Sequence, residues 1–315
     1  MKSFKTNLLC LLIIAAAIIS SNKVSDNIAK ILTKDYNSKI TINNNYSKNK
    51  SYNFFKLSKN NYPLSYKELI GEFFKAIDSK SSKYTFYCPS EYKNCLNDVT
   101  KISDNELLLT HLNNFVHPYN SFTNIKTKIN ESGEITLSIT YLYQDEEIEK
   151  INEKANEIIN NTINDSMTDY DKIKAIHDYL AKNIKYDVER NETGNSKYDS
   201  YKATGALFSG YATCNGYADT LAIFLSILGF DNFKIATAPE EISYESTGHV
   251  WNAIYYENSW RHIDLTWDDP VGKDGKEYLY HKYFLVTNDE LNEADQGEVK
   301  IEEHNFNKLI YSELK

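Results

Sequence analysis

This chain of 315 residues carries no surplus of positive charge: 35 Lys and Arg stand against 44 Asp and Glu, a formal net charge of −9. That balance argues against a nucleic-acid partner, whose phosphates need a basic face, and against holding an anionic membrane surface by charge alone. Long apolar runs are missing too. Leu8 to Ile19 is a twelve-residue apolar segment, short of the roughly 20 residues that span a bilayer comfortably. With Lys2 and Lys5 ahead of it, the segment has the form of a signal peptide. No small-x-small cleavage site follows; Ser20, Ser21 and Ser25 are the nearest candidates, so an uncleaved anchor is the second reading. Either way the expectation is an exported protein, secreted or at the cell surface, touching membrane only through residues 1–25.

Cysteine is scarce, with four in all. Cys10 lies inside the apolar segment, without the spacing that lipid attachment requires. Cys88 and Cys95 lie seven apart and could close a small loop in an oxidising compartment. Zinc is the rival, but no His or further Cys stands at ligand spacing. Asp268 and Asp269 lack an EF-hand pattern and read as turn formers before Pro270. No metal or cofactor is expected. The remaining cysteine, Cys214, is then the one unpaired thiol.

Composition is that of a globular protein, 41% hydrophobic and 25% charged, enough to build a core. The 25 tyrosines serve either packing or a saccharide- or peptide-lined surface. Residues 26–60, rich in Asn, Lys, Ser and Tyr, read as a polar tether. Residues 61–145 read as a small α+β domain, with a helical stripe from Tyr66 to Ile77 and an alternating strand from Glu134 to Tyr143. His111 and His117 in that region read as surface or packing residues. Residues 146–315 form the expected core domain. Ile148, Ile151, Ala155, Ile158 and Ile159 share one helical face; Thr168 and Asp171 resemble a capping box ahead of a second helix bearing Ile173, Ile176 and Leu180. His177 on that helix reads as a packing residue, and the polar run from Asp187 to Ser200 as a loop bordering a cleft.

The centre of the core is Gly210-Tyr-Ala-Thr-Cys-Asn-Gly-Tyr-Ala-Asp219. Ala218, Leu221, Ala222, Leu225 and Leu228 recur at helical spacing until Gly229 stops them. Cys214 therefore sits where a glycine-bearing turn enters a helix, a place that favours thiolate over thiol. A small buried gap-filling cysteine is the plain alternative. Downstream, Phe233 to Ala238 and Tyr283 to Val286 read as strands, and Pro239 to Gly248 as a loop delivering His249. His249 to Tyr256 and Ser259 to Asp264 read as a hairpin. A two-residue loop at Glu257 and Asn258 pairs Tyr256 with Ser259 and makes His249 and Asp264 diagonal neighbours on one face. A loop slid to Tyr256 and Glu257 makes them directly opposite, and an odd-length loop separates them. A His beside an Asp, facing a helix-start Cys, is the nucleophile, base and orienter set of covalent acyl transfer. Trp251 and Trp267 either wall the cleft or pack the hairpin.

Three blocks, Cys214-Asn-Gly-Tyr-Ala218, Gly248-His-Val-Trp-Asn252 and His262-Ile-Asp-Leu-Thr-Trp-Asp-Asp-Pro270, resemble the bacterial transglutaminase-like cysteine-enzyme superfamily. Ala175-Ile-His-Asp-Tyr-Leu180 and Ile184-Lys-Tyr-Asp187 are similar to the helix that precedes the family's cysteine. The likeness covers about 165–290. It implies an α+β, papain-like core in which a Cys-bearing helix packs on an antiparallel sheet, with Cys214 as nucleophile, His249 as base and Asp264 as orienting acid. It implies a protein or peptide substrate, cell-wall peptide included, with hydrolysis by a protease or amidase the default and amine transfer the variant. A surface binding module that kept the fold without the activity is the alternative. A metalloenzyme built on His249, His262 and Asp264 is a third reading, without a zinc signature.

Overall fold

The computed structural model describes residues 44–130, 132–237, 248–270, 278–296 and 301–315. The expected signal segment lies outside the described residues, as do Ala238 of the expected strand and residues 239–247 of the expected loop before His249. Among the described residues no helix is long and apolar enough to cross a membrane. The described residues divide into two compact units, one of residues 44–51, Phe55–Leu109 and Phe122–Tyr141, the other of Tyr52–Phe54, Thr110–Ser121 and those from Leu142 onward.

In the first unit, helix α1 (Tyr66–Asp78) precedes strand β1 (Lys83–Tyr87), helix α2 (Cys95–Ser103) and the start of helix α3 (Glu106–Phe115). Strands β2 (Phe122–Ile129) and β3 (Glu134–Tyr141) complete an antiparallel sheet of order β1-β3-β2. Ser65 caps α1 by accepting the Glu68 N–H, and the apolar stripe of α1 is buried through Leu69, Ile70, Phe73, Phe74 and Ile77. Cys88 and Cys95 are joined as a disulfide. Residues 44–60, expected as a tether, are instead tied down. Asp78 is 2% exposed and its carboxylate accepts from Ser47 Oγ at 2.6 Å, Lys48 N at 3.0 Å and Asn49 N at 2.9 Å. Phe55 packs on Phe74 with ring centroids 4.4 Å apart. A buried carboxylate must find donors, and here loop amides supply them, which composition does not reveal. The expected 61–145 domain therefore begins earlier, lacks residues 110–121 and ends at Tyr141.

The second unit holds helices α4 (Asp145–Thr162) and α5 (Asp169–Asn183), strand β4 (Lys185–Tyr186), helix α6 (Val188–Thr193), a π turn over Gly205–Ser209, and strand β5 (Tyr211–Ala212), parallel to β4. Helix α7 (Cys214–Ile227) follows, then strands β6 (Asn232–Ala236), β7 (Val250–Tyr256) and β8 (Ser259–Ile263), helix α8 (Leu265–Asp268), strand β9 (Phe284–Val286) and helix α9 (Asn288–Asp295). The sheet runs β6-β7-β8-β9, antiparallel throughout. Thr168 and Asp171 form the expected capping box on α5. The expected loop after Asp187 contains α6 because Asp187 accepts the Arg190 N–H and Gly194, at φ 72°, closes the helix; only glycine takes that left-handed cap freely.

The core is Ile173, Ile176 and Leu180 of α5, Leu221, Phe224 and Leu225 of α7, and Ile254, Ile263 and Phe284 of the sheet. A polar network crosses it. Lys234 Nζ donates to Asp219 Oδ1 at 2.6 Å, and Tyr143 Oη donates to Asp219 Oδ2 at 2.7 Å. All three side chains are almost wholly buried. Removing one member of a buried ion pair leaves the other unsatisfied, at a cost of about 3–5 kcal/mol. Lys234→Met is therefore expected to lower the unfolding free energy by that amount in a denaturant titration; a change below about 1 kcal/mol would show the pair to be dispensable.

Candidate active site

The site is assembled from the N-terminus of α7 and one end of the four-stranded sheet. Thr213 precedes α7 in extended conformation, and its N–H donates to the Ser200 carbonyl at 2.9 Å. Gly216 passes so close to that carbonyl that a Cβ would lie 2.3 Å from the oxygen. The glycine in Cys-Asn-Gly is thus a packing requirement of the turn that presents Cys214. The Cys214 side chain is half-buried, a free thiol.

The hairpin closes with a two-residue loop. Glu257 and Asn258 have φ of 48° and 62°, the left-handed pair of a type I′ turn, and Tyr256 pairs with Ser259. His249, just ahead of β7, and Asp264, just after β8, consequently meet: His249 Nε2–H donates to Asp264 Oδ2. Asn252 Nδ2 donates to the Ala218 carbonyl of α7 at 2.9 Å, holding the strand that carries the histidine against the helix that carries the cysteine. Cys214 lies close enough to His249 to help raise the pKa of the imidazole; with Nε2 engaged by Asp264, Nδ1 is the nitrogen left for the thiol. Cys214, His249 and Asp264 are brought together.

Asp264 is 1% exposed and its two oxygens are divided. Oδ1 accepts the N–H groups of Thr266 at 2.9 Å and Trp267 at 3.1 Å, capping α8. Oδ2 accepts from His249 and also from His304 Nε2, 2.9 Å away. Burial alone would raise the Asp264 pKa, but the charges and hydrogen bonds of His249 and His304 outweigh it and hold the carboxyl well below its usual range. Burial likewise works against the charged form of His249; Asp264 and the contact with Cys214 overcome it and hold the imidazole well above its ordinary value.

Nothing in the spacing of the sequence singles out His304 or its partner Asp295, whose Oδ1 accepts from His304 Nδ1 at 2.7 Å. They come from the chain after β9, and only the tertiary path delivers them. Asp268 and Asp269, expected as turn formers, are buried acceptors: Asp268 Oδ2 faces His177 Nε2 at 3.2 Å, and Asp269 Oδ2 accepts from Tyr217 Oη at 2.6 Å. They tie the segment after Asp264 to α5 and α7. His177 is wholly buried between Asp178 and Asp268. His111 and His117 are buried as well. Trp251 packs inside, 1% exposed, and donates through Nε1 to His262 Nδ1 at 3.1 Å. Trp267 is half-buried and donates to Glu303 Oε2 at 3.2 Å.

His262, offered by sequence as a ligand in a metal reading, does not join the site. Trp251 occupies Nδ1, so Nε2 carries the proton donated to Asn288 Oδ1 at 2.8 Å; burial pushes its pKa down to about 4. Among the described residues two other sets bring ligand-type atoms together, His177 with Asp178 and His281, and His249 with Asp264 and His304. In the first, the Lys174 ammonium already sits 2.5 Å from Asp178 and 3.0 Å from His281. In the second, both Nε2 atoms spend their protons on one carboxylate oxygen, so neither offers a lone pair there.

The centre is thus a helix-start cysteine beside a histidine that is hydrogen-bonded to a buried aspartate, on an α+β core. Residues 156–265 match the family model of the transglutaminase-like superfamily. The chain is 26% identical over 137 residues to kyphoscoliosis peptidase of Mus musculus and 24% identical over 136 residues to that of Homo sapiens; in each case 39% of this chain and 20% of the relative are covered. The chain thus spans about a fifth of the length of these relatives. A solved structure titled as that of a TGase aligns at 17% identity and a TM-score of 0.34, covering 46% of this chain and 44% of the other.

Proposed function

We propose that this protein is an exported cysteine-dependent acyl-transfer enzyme acting on peptide, isopeptide or glutamine side-chain amides. The observation that carries the reading is the half-buried free thiol of Cys214 beside His249, which is itself hydrogen-bonded to the buried Asp264. His249 Nδ1 takes the Cys214 proton, and Sγ attacks the amide carbonyl carbon. The backbone N–H of Cys214, at the start of α7, offers one donor to the resulting oxyanion. His249 returns its proton to the leaving amine as the C–N bond breaks, leaving a thioester on Cys214. Water then attacks with His249 as base, releasing an acid and restoring the thiol; an amine in place of water gives a new amide. Hydrolysis is the default because water is always at hand. Export rests on the apolar N-terminal segment behind Lys2 and Lys5.

The first test needs no substrate. Iodoacetamide is expected to modify Cys214 faster than free cysteine, and His249→Ala to slow that reaction. Intact mass after timed exposure reads the rate; reaction no faster than that of free cysteine would sink the nucleophile assignment. Incubation of a glutamine-bearing protein with a fluorescent primary amine, set against release of free amine from peptides, then divides transfer from hydrolysis.

A further inference from the structure

Asp264 Oδ2 is shared between two imidazoles. His249 Nε2–H and His304 Nε2–H both donate to it, and His304 Nδ1–H donates to Asp295 at 2.7 Å. A ring whose two nitrogens both face carboxylates carries two N–H groups and is a cation. We propose that His304, anchored by Asp295, is a positioning residue that tempers the pull of Asp264 on His249 and so keeps the His249 proton transferable; this rests on the acyl-transfer reading above.

The need for such a residue follows from the burial of the pair. Burial by itself disfavours the imidazolium, but the attraction of an adjacent buried carboxylate outweighs that penalty and favours the charged ring. A group that must take a proton from Cys214 and give it to a leaving amine works best when its pKa lies near the operating pH. A second cation on the same carboxylate oxygen opposes the charge on His249 and offsets part of that bias. Burial by itself would discharge His304; its hydrogen bonds to Asp264 and Asp295 reverse this and raise its pKa, while the His249 charge pulls the other way. Among the other titratable neighbours, Asp268 feels the charge of Asp264 and Tyr186 feels those of Cys214 and Asp264. His262 is neutral, with its pKa near 4, and the Glu303 carboxylate accepts from the Trp267 indole. The rings of Tyr283, Trp251 and Trp267 pack on His304 with centroids 5.0, 5.1 and 5.3 Å away, fixing where it sits. Asp295 and His304 both lie beyond the 156–265 segment that matches the family model, so the centre draws on chain outside that segment.

The experiment is the pH dependence of Cys214 alkylation by iodoacetate in the full chain, for the parent, His304→Gln and Asp295→Asn, with thermal unfolding of each. The anionic reagent reacts fastest with a thiolate beside an imidazolium, so the rate climbs and then falls as His249 loses its proton. His304→Gln keeps an N–H for Asp264 and removes the positive charge. The sign follows: with the opposing cation gone, His249 holds its proton to higher pH, and the falling limb moves up by about one pH unit. Asp295→Asn moves it the same way by less, and carries the test if the first variant does not fold. Falling limbs that coincide with the parent while the melting temperatures drop would reduce His304 to a structural role. A parent profile with no falling limb would instead overturn the pairing of Cys214 with His249, and this inference with it.

Discussion

Asp264→Asn is expected to lower turnover by about ten-thousandfold while the protein stays folded. The reason lies in how the carboxylate is divided. Oδ1 accepts two backbone N–H groups, from Thr266 and Trp267, so an asparagine must place its carbonyl oxygen there. Its NH₂ group then faces His249 and His304, where the present oxygen accepts from both. His249 Nε2 is forced to become an acceptor, and its proton moves to Nδ1, the nitrogen left for Cys214. A base whose lone pair points away from the thiol cannot take its proton. Near-ultraviolet circular dichroism checks the fold, and turnover on the best substrate found by amine release checks the chemistry. Loss of less than about tenfold would leave Cys214 and His249 a dyad at most, and would favour a binding module that kept the fold.

Cys214→Ala is expected to have a larger effect still, on the order of a millionfold, since no thioester can form without the sulfur. Cys214 is the one free thiol among the described residues, so no neighbour can substitute. The variant should keep its stability within about 0.5 kcal/mol, because the side chain is half-buried and small, and should still bind substrate. Those two expectations separate a nucleophile from a packing residue. If Cys214→Ala retained turnover, amide chemistry would have to be sought elsewhere in the chain; if it unfolded, the gap-filling reading of this cysteine would be the right one.

How far these residues could be read in advance depended on whether the signal was local. The Cys214 turn, the helix it starts and the Glu257-Asn258 loop are short-range features, governed by glycine sterics, apolar period and strand parity. Parity made the meeting of His249 and Asp264 depend on an even-length loop, and the two-residue turn at Glu257 and Asn258 supplies it. Domain limits were harder. Residues 44–60 look like a tether by composition, yet a carboxylate some thirty residues away binds their amides.

By itself, then, the sequence determined the candidates for the centre: a thiol at a helix start, and an imidazole and a carboxylate at the two ends of one hairpin, in blocks that resemble one superfamily. Tertiary structure alone decided what surrounds that centre. It turned Asp268 and Asp269 from turn formers into buried acceptors for His177 and Tyr217, because the segment after β8 folds back over α5 and α7. It engaged both nitrogens of His262, with Trp251 on one and Asn288 on the other. It also carried His304 and Asp295 to the far side of Asp264. Hydrogen bonds between residues 40 apart leave no periodicity in a sequence; they exist only once burial has removed water as the competing partner.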